Sequence, residues 1–146
     1  MYGFEENVPT GVYEIPLGKG KIRRKGKDIT IVSFSLLAQE ALKAAEILAL
    51  EGINAEVVDI RTLKPLDEKI ILDSINKTGK IAIVDSAWKF CGFSAEVVAL
   101  INEKTTISGK SILRINIPDA PAAASNSLEQ AYYINAEKIV NHIKNL

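Results

Sequence analysis

The 146-residue sequence predicts an α/β fold in which right-handed crossovers build a parallel sheet with helices on both faces. Three observations carry this. Strand-like and helix-like segments alternate from Asp28 onward. The strand segments are β-branched and almost wholly apolar, as strands covered on both faces are. Helical segments between them carry apolar residues at helical spacing, and the first two end at Gly52 and Gly79.

In chain order, residues 1–19 hold Gly3, Pro9, Gly11, Pro16 and Gly18 with no sustained period, which predicts an extended approach segment before a domain spanning 20–146. Lys21-Ile22-Arg23-Arg24-Lys25 reads as a short edge strand, because cations on an edge discourage unwanted pairing. Ile29 to Phe34 is the first core strand, and Ser33 and Ser35 offer hydroxyls to cap the next helix. Leu37, Ala41, Ala44 and Leu48 mark the buried stripe of that helix, which Gly52 ends. Ile53 to Ile60 follows as a strand. Asp67 is placed to accept orphan amide hydrogens as the N-cap of the next helix, with Leu66 and Ile71 as a hydrophobic staple. Pro65 holds Lys64 extended and stops that helix from starting earlier. Lys80 to Asp85 is the next strand, Ser94 to Lys104 the next helix, and Ile112 to Ile117 the last strand. A loop with Pro118 and Pro121 leads to a final helix that Asn135 caps and that buries Ile139, Val140 and Ile143.

Composition narrows the function classes. Lys plus Arg and Asp plus Glu both count 18, so bulk charge points to neither nucleic acid nor an anionic membrane, and zero net charge favours association. No apolar run approaches the length of a membrane helix, and the start shows no charged-then-apolar signal pattern. A single cysteine, Cys91, suits a reducing cytoplasm.

Few residues offer chemistry. One histidine, His142, lies in the final helix and reads as a solvated surface residue; with one cysteine it makes no closed zinc site. Phosphate-loop and dinucleotide fingerprints are absent. Trp88, Phe90 and Phe93 stand between a strand end and a helix start, where they either anchor a protein interface or plug the rim of the core. Cys91, in the same stretch, reads as a small buried residue. Arg61 closes a buried strand beside Asp59 and either pairs locally or faces a partner or anionic ligand.

The fragment Asp59-Ile60-Arg61-Thr62-Leu63-Lys64-Pro65-Leu66-Asp67 resembles a signature of the transketolase superfamily C-terminal domain, above all in the β subunits of pyruvate and related 2-oxoacid dehydrogenases. The likeness extends from the Val8-Pro9 and Ile15-Pro16-Leu17-Gly18-Lys19 stretches through Trp88 to Val97, the Ile117-Pro118-Asp119-Ala120-Pro121 turn and Tyr133 to Val140. It implies a three-layer α/β/α sandwich with a mixed five-stranded sheet, four strands parallel and Lys21–Arg24 antiparallel at an edge. It also implies an assembly or regulatory domain that supports a dimer or heterotetramer. Thiamine diphosphate and magnesium then belong to the full enzyme, between domains that would precede this one, and this chain binds neither. The implied partners are a second copy, the thiamine-binding domains or the α subunit. Asp119 in the turn and Leu146 at the C-terminus join Arg61, Trp88, Phe90 and Phe93 as interface candidates by this resemblance.

Departures qualify it. Cys91-Gly92 replaces a glycine pair and Ser94 a third glycine, which restricts the backbone. Ile107-Ser108-Gly109-Lys110 stands where members that dock a lipoyl acyltransferase carry an acidic residue and a Leu-x-Ala-Pro run, which argues against that docking. The alternatives are the C-terminal part of a transketolase-like enzyme, a free-standing module for a small anion or protein partner, and an enzyme using Cys91 or Asp59 with Arg61.

Overall fold

In the computed structural model, which describes residues 7, 10–106 and 108–146, β-branched runs form the centre of a five-stranded sheet. The strands are β1 (Lys21–Arg24), β2 (Ile29–Ser33), β3 (Ala55–Asp59), β4 (Lys80–Trp88) and β5 (Ser111–Ile117). Their spatial order is β1-β3-β2-β4-β5. β1 pairs antiparallel with β3, and every other pairing is parallel. The predicted mixed sheet with a cationic antiparallel edge strand is therefore the observed one.

Five helices cover it: α1 (Leu36–Leu50), α2 (Glu68–Thr78), α3 (Phe93–Lys104), α4 (Asn126–Tyr132) and α5 (Ala136–Lys144). Strand alternation sorts the core into two clusters. Ile29, Ile31, Val57, Ala82, Val84 and Ile115 face the stripes of α1 and α5, including Leu37, Ala41, Leu48, Ile139 and Ile143. Val32, Val58, Ile81 and Ile83 face α2 and α3 through Ile71, Ile75, Val97 and Ile101. Leu66 and Ile71 share this second cluster, as a staple requires.

A buried acid interrupts that second layer. Glu56 on β3 is fully buried, accepts from the Ser74 hydroxyl at 2.7 Å and pairs with the Lys77 ammonium, both on α2. A carboxylate in such a place is tolerable only with partners of this kind. Beside it Thr30, its neighbour on β2, shares a hydroxyl–hydroxyl bond of 2.8 Å with Thr78 of α2.

Several local expectations are corrected. Asp67 flanks α2 but makes no capping bond; its carboxylate accepts instead from the Gly20 amide at 3.1 Å, fastening the approach segment. Thr62 does the same for the Gly18 amide at 3.1 Å. Helix α2 still starts at Glu68, after a cis Lys64–Pro65 bond. Neither predicted serine caps α1: Ser35 has φ 55 and no side-chain cap bond, and the buried Ser33 hydroxyl has no partner among the described residues. Strand β4 runs three residues past Asp85, so Trp88 ends a strand rather than opening a loop. Helix α4 had no counterpart in the sequence pattern, because it buries no residue and so shows no stripe. Of the expected approach segment, residues 1–6, Val8 and Pro9 lie outside the described residues, and 10–20 carry no helix or strand.

Asn135 caps α5 as predicted, its side-chain oxygen accepting from the Lys138 amide at 3.0 Å. Asn135→Ala is expected to lower stability by about 0.5–2 kcal/mol in denaturant unfolding. Ser125→Ala, at an N-cap whose side chain makes no cap bond, should stay within about 0.5 kcal/mol of the parent. Equal losses at the two sites would contradict this reading. Cys91 has φ 55, a conformation that favours glycine. Cys91→Gly should relieve roughly 1–2 kcal/mol of strain against roughly 0.4–1 kcal/mol of added unfolded-state entropy. A small net gain in urea midpoint is the expected outcome, and a loss would show that the thiol makes compensating contacts.

Candidate functional site

The carboxyl ends of β2, β3, β4 and β5 form one edge, the place where open α/β sheets present ligands or partners. Each of the first three strand-to-helix connections contains a non-glycine residue at positive φ: Ser35 (55), Arg61 (56) and Cys91 (55). Such strain persists where surrounding bonds over-determine the chain.

The best-determined of these connections follows β4. Asp85 is buried, 1% exposed, and faces α3. One carboxylate oxygen accepts from the Ala87 amide at 2.9 Å and the other from the Ser94 amide at 2.8 Å. Ser94 lies in the first turn of α3, whose N-cap, Gly92, has no side chain to do this work. A carboxylate at a helix N-terminus is favourable on both hydrogen-bond and dipole grounds. Asn116 on β5 donates to the Ala87 carbonyl at 3.1 Å and to the Ser94 hydroxyl at 3.0 Å. Arg114 on β5 donates from Nε to the Ser94 hydroxyl at 3.0 Å and from its terminal nitrogen to the Lys89 carbonyl. At Gly92 an added Cβ would lie 2.2 Å from the Trp88 carbonyl, so no other residue fits there. Nothing at the level of residue spacing announced Asp85, Asn116 or Arg114, because the register of β4 on β5 brings them together from distant positions.

This frame holds aromatic residues in solvent. Trp88 is 47% exposed and Phe90 79%. The Trp88 indole donates to the Tyr132 hydroxyl at 3.3 Å, and Tyr132 donates to the Ala120 carbonyl at 2.7 Å. Tyr132 and Tyr133 meet edge to face, with centroids 5.2 Å apart. Next to them lies an apolar cleft of about 170 Å³ lined by Phe34, Leu36, Leu37, Ile117, Tyr133 and Ile134 with Ser35 and Ser86. Helix α4 therefore supplies, through Tyr132, part of a surface that the sequence pattern did not disclose.

The six candidate residues divide. Phe93 opens α3 and packs edge to face on Phe34 at 5.8 Å, so it plugs the core rim, whereas Trp88 and Phe90 remain on the surface. Cys91 is exposed, correcting the expectation of a buried thiol, because positive φ turns it out of the loop. Arg61 is exposed; its amide donates to Asp59 at 3.0 Å, and no described residue pairs with its guanidinium. Asp59 is instead within 3.9 Å of Arg23 on the edge strand. Asp119 is exposed in the turn after β5. Leu146 lies at the opposite edge, in a cleft with Ile29 and Lys80 at the starts of β2 and β4. His142 is exposed, as expected. Among the described residues no three histidine, cysteine or acidic side chains gather as metal ligands, and no helix is long and apolar enough to cross a membrane. Lys69 is held above the ordinary lysine range by its hydrogen bond to Asp73 and by that carboxylate's charge; both sit on the solvent face of α2.

Comparison with known proteins agrees with this architecture. The chain is 40% identical over 140 residues to the acetoin:2,6-dichlorophenolindophenol oxidoreductase β subunit of Cupriavidus necator, covering 95% of this chain and 41% of that protein. It is 41% identical over 133 residues to the mitochondrial pyruvate dehydrogenase E1 β subunit of Dictyostelium discoideum, covering 90% of this chain and 37% of the relative. The chain thus spans about two fifths of the length of these relatives. Among solved structures, a split-gene transketolase described as an inactive β4 tetramer superposes with a TM-score of 0.82 at 26% identity, over 91% of this chain and 43% of that one. The family model for the transketolase C-terminal domain matches residues 18–139, from the first anchored residue of the approach segment into the last helix, and the chain belongs to that family.

Proposed function

We propose that this chain is the C-terminal assembly domain of a thiamine diphosphate-dependent 2-oxoacid dehydrogenase β subunit, which pairs with a second copy and docks to the cofactor-binding parts of its enzyme. The observation that carries this reading is the exposed aromatic edge of Trp88, Phe90 and Tyr133 beside an apolar cleft, on a domain whose two core layers are otherwise sealed. Large exposed aromatics around a cleft mark interaction surfaces, and tryptophan and tyrosine are favoured anchors. The self-assembled tetramer of the similar transketolase chain supports a second copy as occupant. The two β-subunit relatives support a place within a multi-subunit dehydrogenase.

Thiamine diphosphate itself does not fit the described residues. Its pyrophosphate needs amide donors and a divalent metal, and its aminopyrimidine needs a carboxylate. No metal-ligand cluster is present among the described residues. The Ser94 amide that a phosphate would take at α3 is already taken by Asp85, whose charge repels an anion. On this reading the cofactor is held by other parts of the enzyme. The exposed Arg61, unpaired among the described residues, favours a second reading as a small-anion module.

Two measurements test this. Sedimentation of the isolated chain should show self-association that Phe90→Ala weakens; a clean monomer at high concentration would contradict pairing with a second copy. Calorimetry with thiamine diphosphate and magnesium should give no saturable heat, and 2-oxoacid decarboxylation should appear only when the thiamine-binding part is supplied. A stoichiometric complex with the isolated chain would overturn the assembly reading, and a saturable heat with a simple carboxylate or phosphate that Arg61→Ala abolishes would support the anion module.

A further inference from the structure

We infer that Arg114 and Asn116 are positioning residues for the aromatic edge: from within β5 they hold the Ala87–Phe90 backbone in the shape that presents Trp88 and Phe90. This deepens the assembly role and rests on it. Along β5 the row that faces α3 is Ile112, Arg114 and Asn116. A sheet–helix interface ordinarily fills such positions with apolar side chains, and here a charged and an amide side chain are partly buried instead. Their desolvation is tolerable only if their donors are used.

They are used on the loop. The Lys89 carbonyl, between Trp88 and Phe90, accepts from Arg114, and the Ala87 carbonyl accepts from Asn116 at 3.1 Å. Both donors also reach the Ser94 hydroxyl at 3.0 Å, which ties the loop to the first turn of α3. The chain between these anchors folds back tightly, with Cys91 at φ 55 and Gly92 against the Trp88 carbonyl. A turn of that kind keeps one shape only while neighbouring bonds hold it. Neither Arg114 nor Asn116 belongs to the exposed aromatic set. Their effect on a partner therefore passes through the loop, by lowering the ordering cost of binding.

Trp88 is the one tryptophan of the sequence, so its emission reports this loop alone. The test compares the full chain with Arg114→Met, which keeps the aliphatic stem and removes the donors, and with Arg114→Lys, which restores one cation. Far-UV dichroism and urea midpoints follow the fold. Acrylamide quenching of Trp88, measured at monomeric dilution, follows the loop, and sedimentation follows association. The expected result is a native dichroism spectrum, Trp88 more accessible to quencher, and association weakened about tenfold in Arg114→Met, the effect of losing one charged hydrogen bond. Arg114→Lys should recover part of both. If Arg114→Met does not fold, Asn116→Ala is read in the same way. Quenching and association both at parent levels in a folded variant would overturn the inference. A parent chain that stays monomeric while Arg114→Met raises quenching would sink the assembly reading and leave the loop assignment standing.

Discussion

The constraint on which the rest of the carboxyl edge depends is the buried carboxylate of Asp85. Placed in water it would be unremarkable; placed under α3 it must have donors on both oxygens. The Ala87 and Ser94 amides meet that demand, and in doing so they fix both the exit of β4 and the first turn of α3. Because Gly92 offers no capping side chain, the helix start depends on a residue nine positions upstream rather than on its own N-cap. Asn116 and Arg114 then close the remaining carbonyls and the Ser94 hydroxyl. Every member is satisfied, which is the condition under which a buried polar network rigidifies a structure instead of weakening it.

Glu56 plays the corresponding part at the other end of the same layer. It sits early in β3 and draws Ser74 and Lys77 of α2 onto the sheet. Between the two acids the layer is aliphatic, from Val58 and Ile71 to Ile83 and Val97. The opposite layer, under α1 and α5, is closed by alanines: Ala41, Ala44 and Ala45 let α1 approach the sheet closely. The two most deeply buried acids, Glu56 and Asp85, thus anchor the α2 and α3 side, next to the edge that carries the loop.

How much of this could be read in advance follows from whether the signal is local. Periodicity is local, so four of the five strands and four of the five helices are legible in the order of apolar residues, while β1 is read from its cations and from the family resemblance. Helix α4 is not, since none of its residues is buried. Caps are half local. Asn135 has no competing partner and caps α5, whereas Asp67 has the Gly20 amide within reach and bonds to it instead. Ser35 sits at an N-cap position, yet its φ of 55 takes its backbone out of the extended conformation a capping side chain uses. The Asp85 network is not local at all: its members are separated by up to 31 positions and meet only through strand register. The resemblance of the Trp88 to Val97 stretch to family members pointed to the loop but not to the side chains beneath it.

The same distinction describes what the carboxyl edge holds in and what it presents. Several ionisable groups at the edge are committed to backbone, Asp85 to two amides, Arg114 to a carbonyl and Asp59 to the Arg61 amide, while Arg61 and Cys91 are exposed. The edge's exposed large apolar side chains include Leu36, Trp88, Phe90 and Tyr133, around a cleft with little polar lining. Burial of such side chains is the main gain in protein association, and it is largest when the binding shape exists beforehand. A frame of satisfied polar bonds thus lies beneath an exposed apolar surface, an arrangement that would keep any contact made there in one shape.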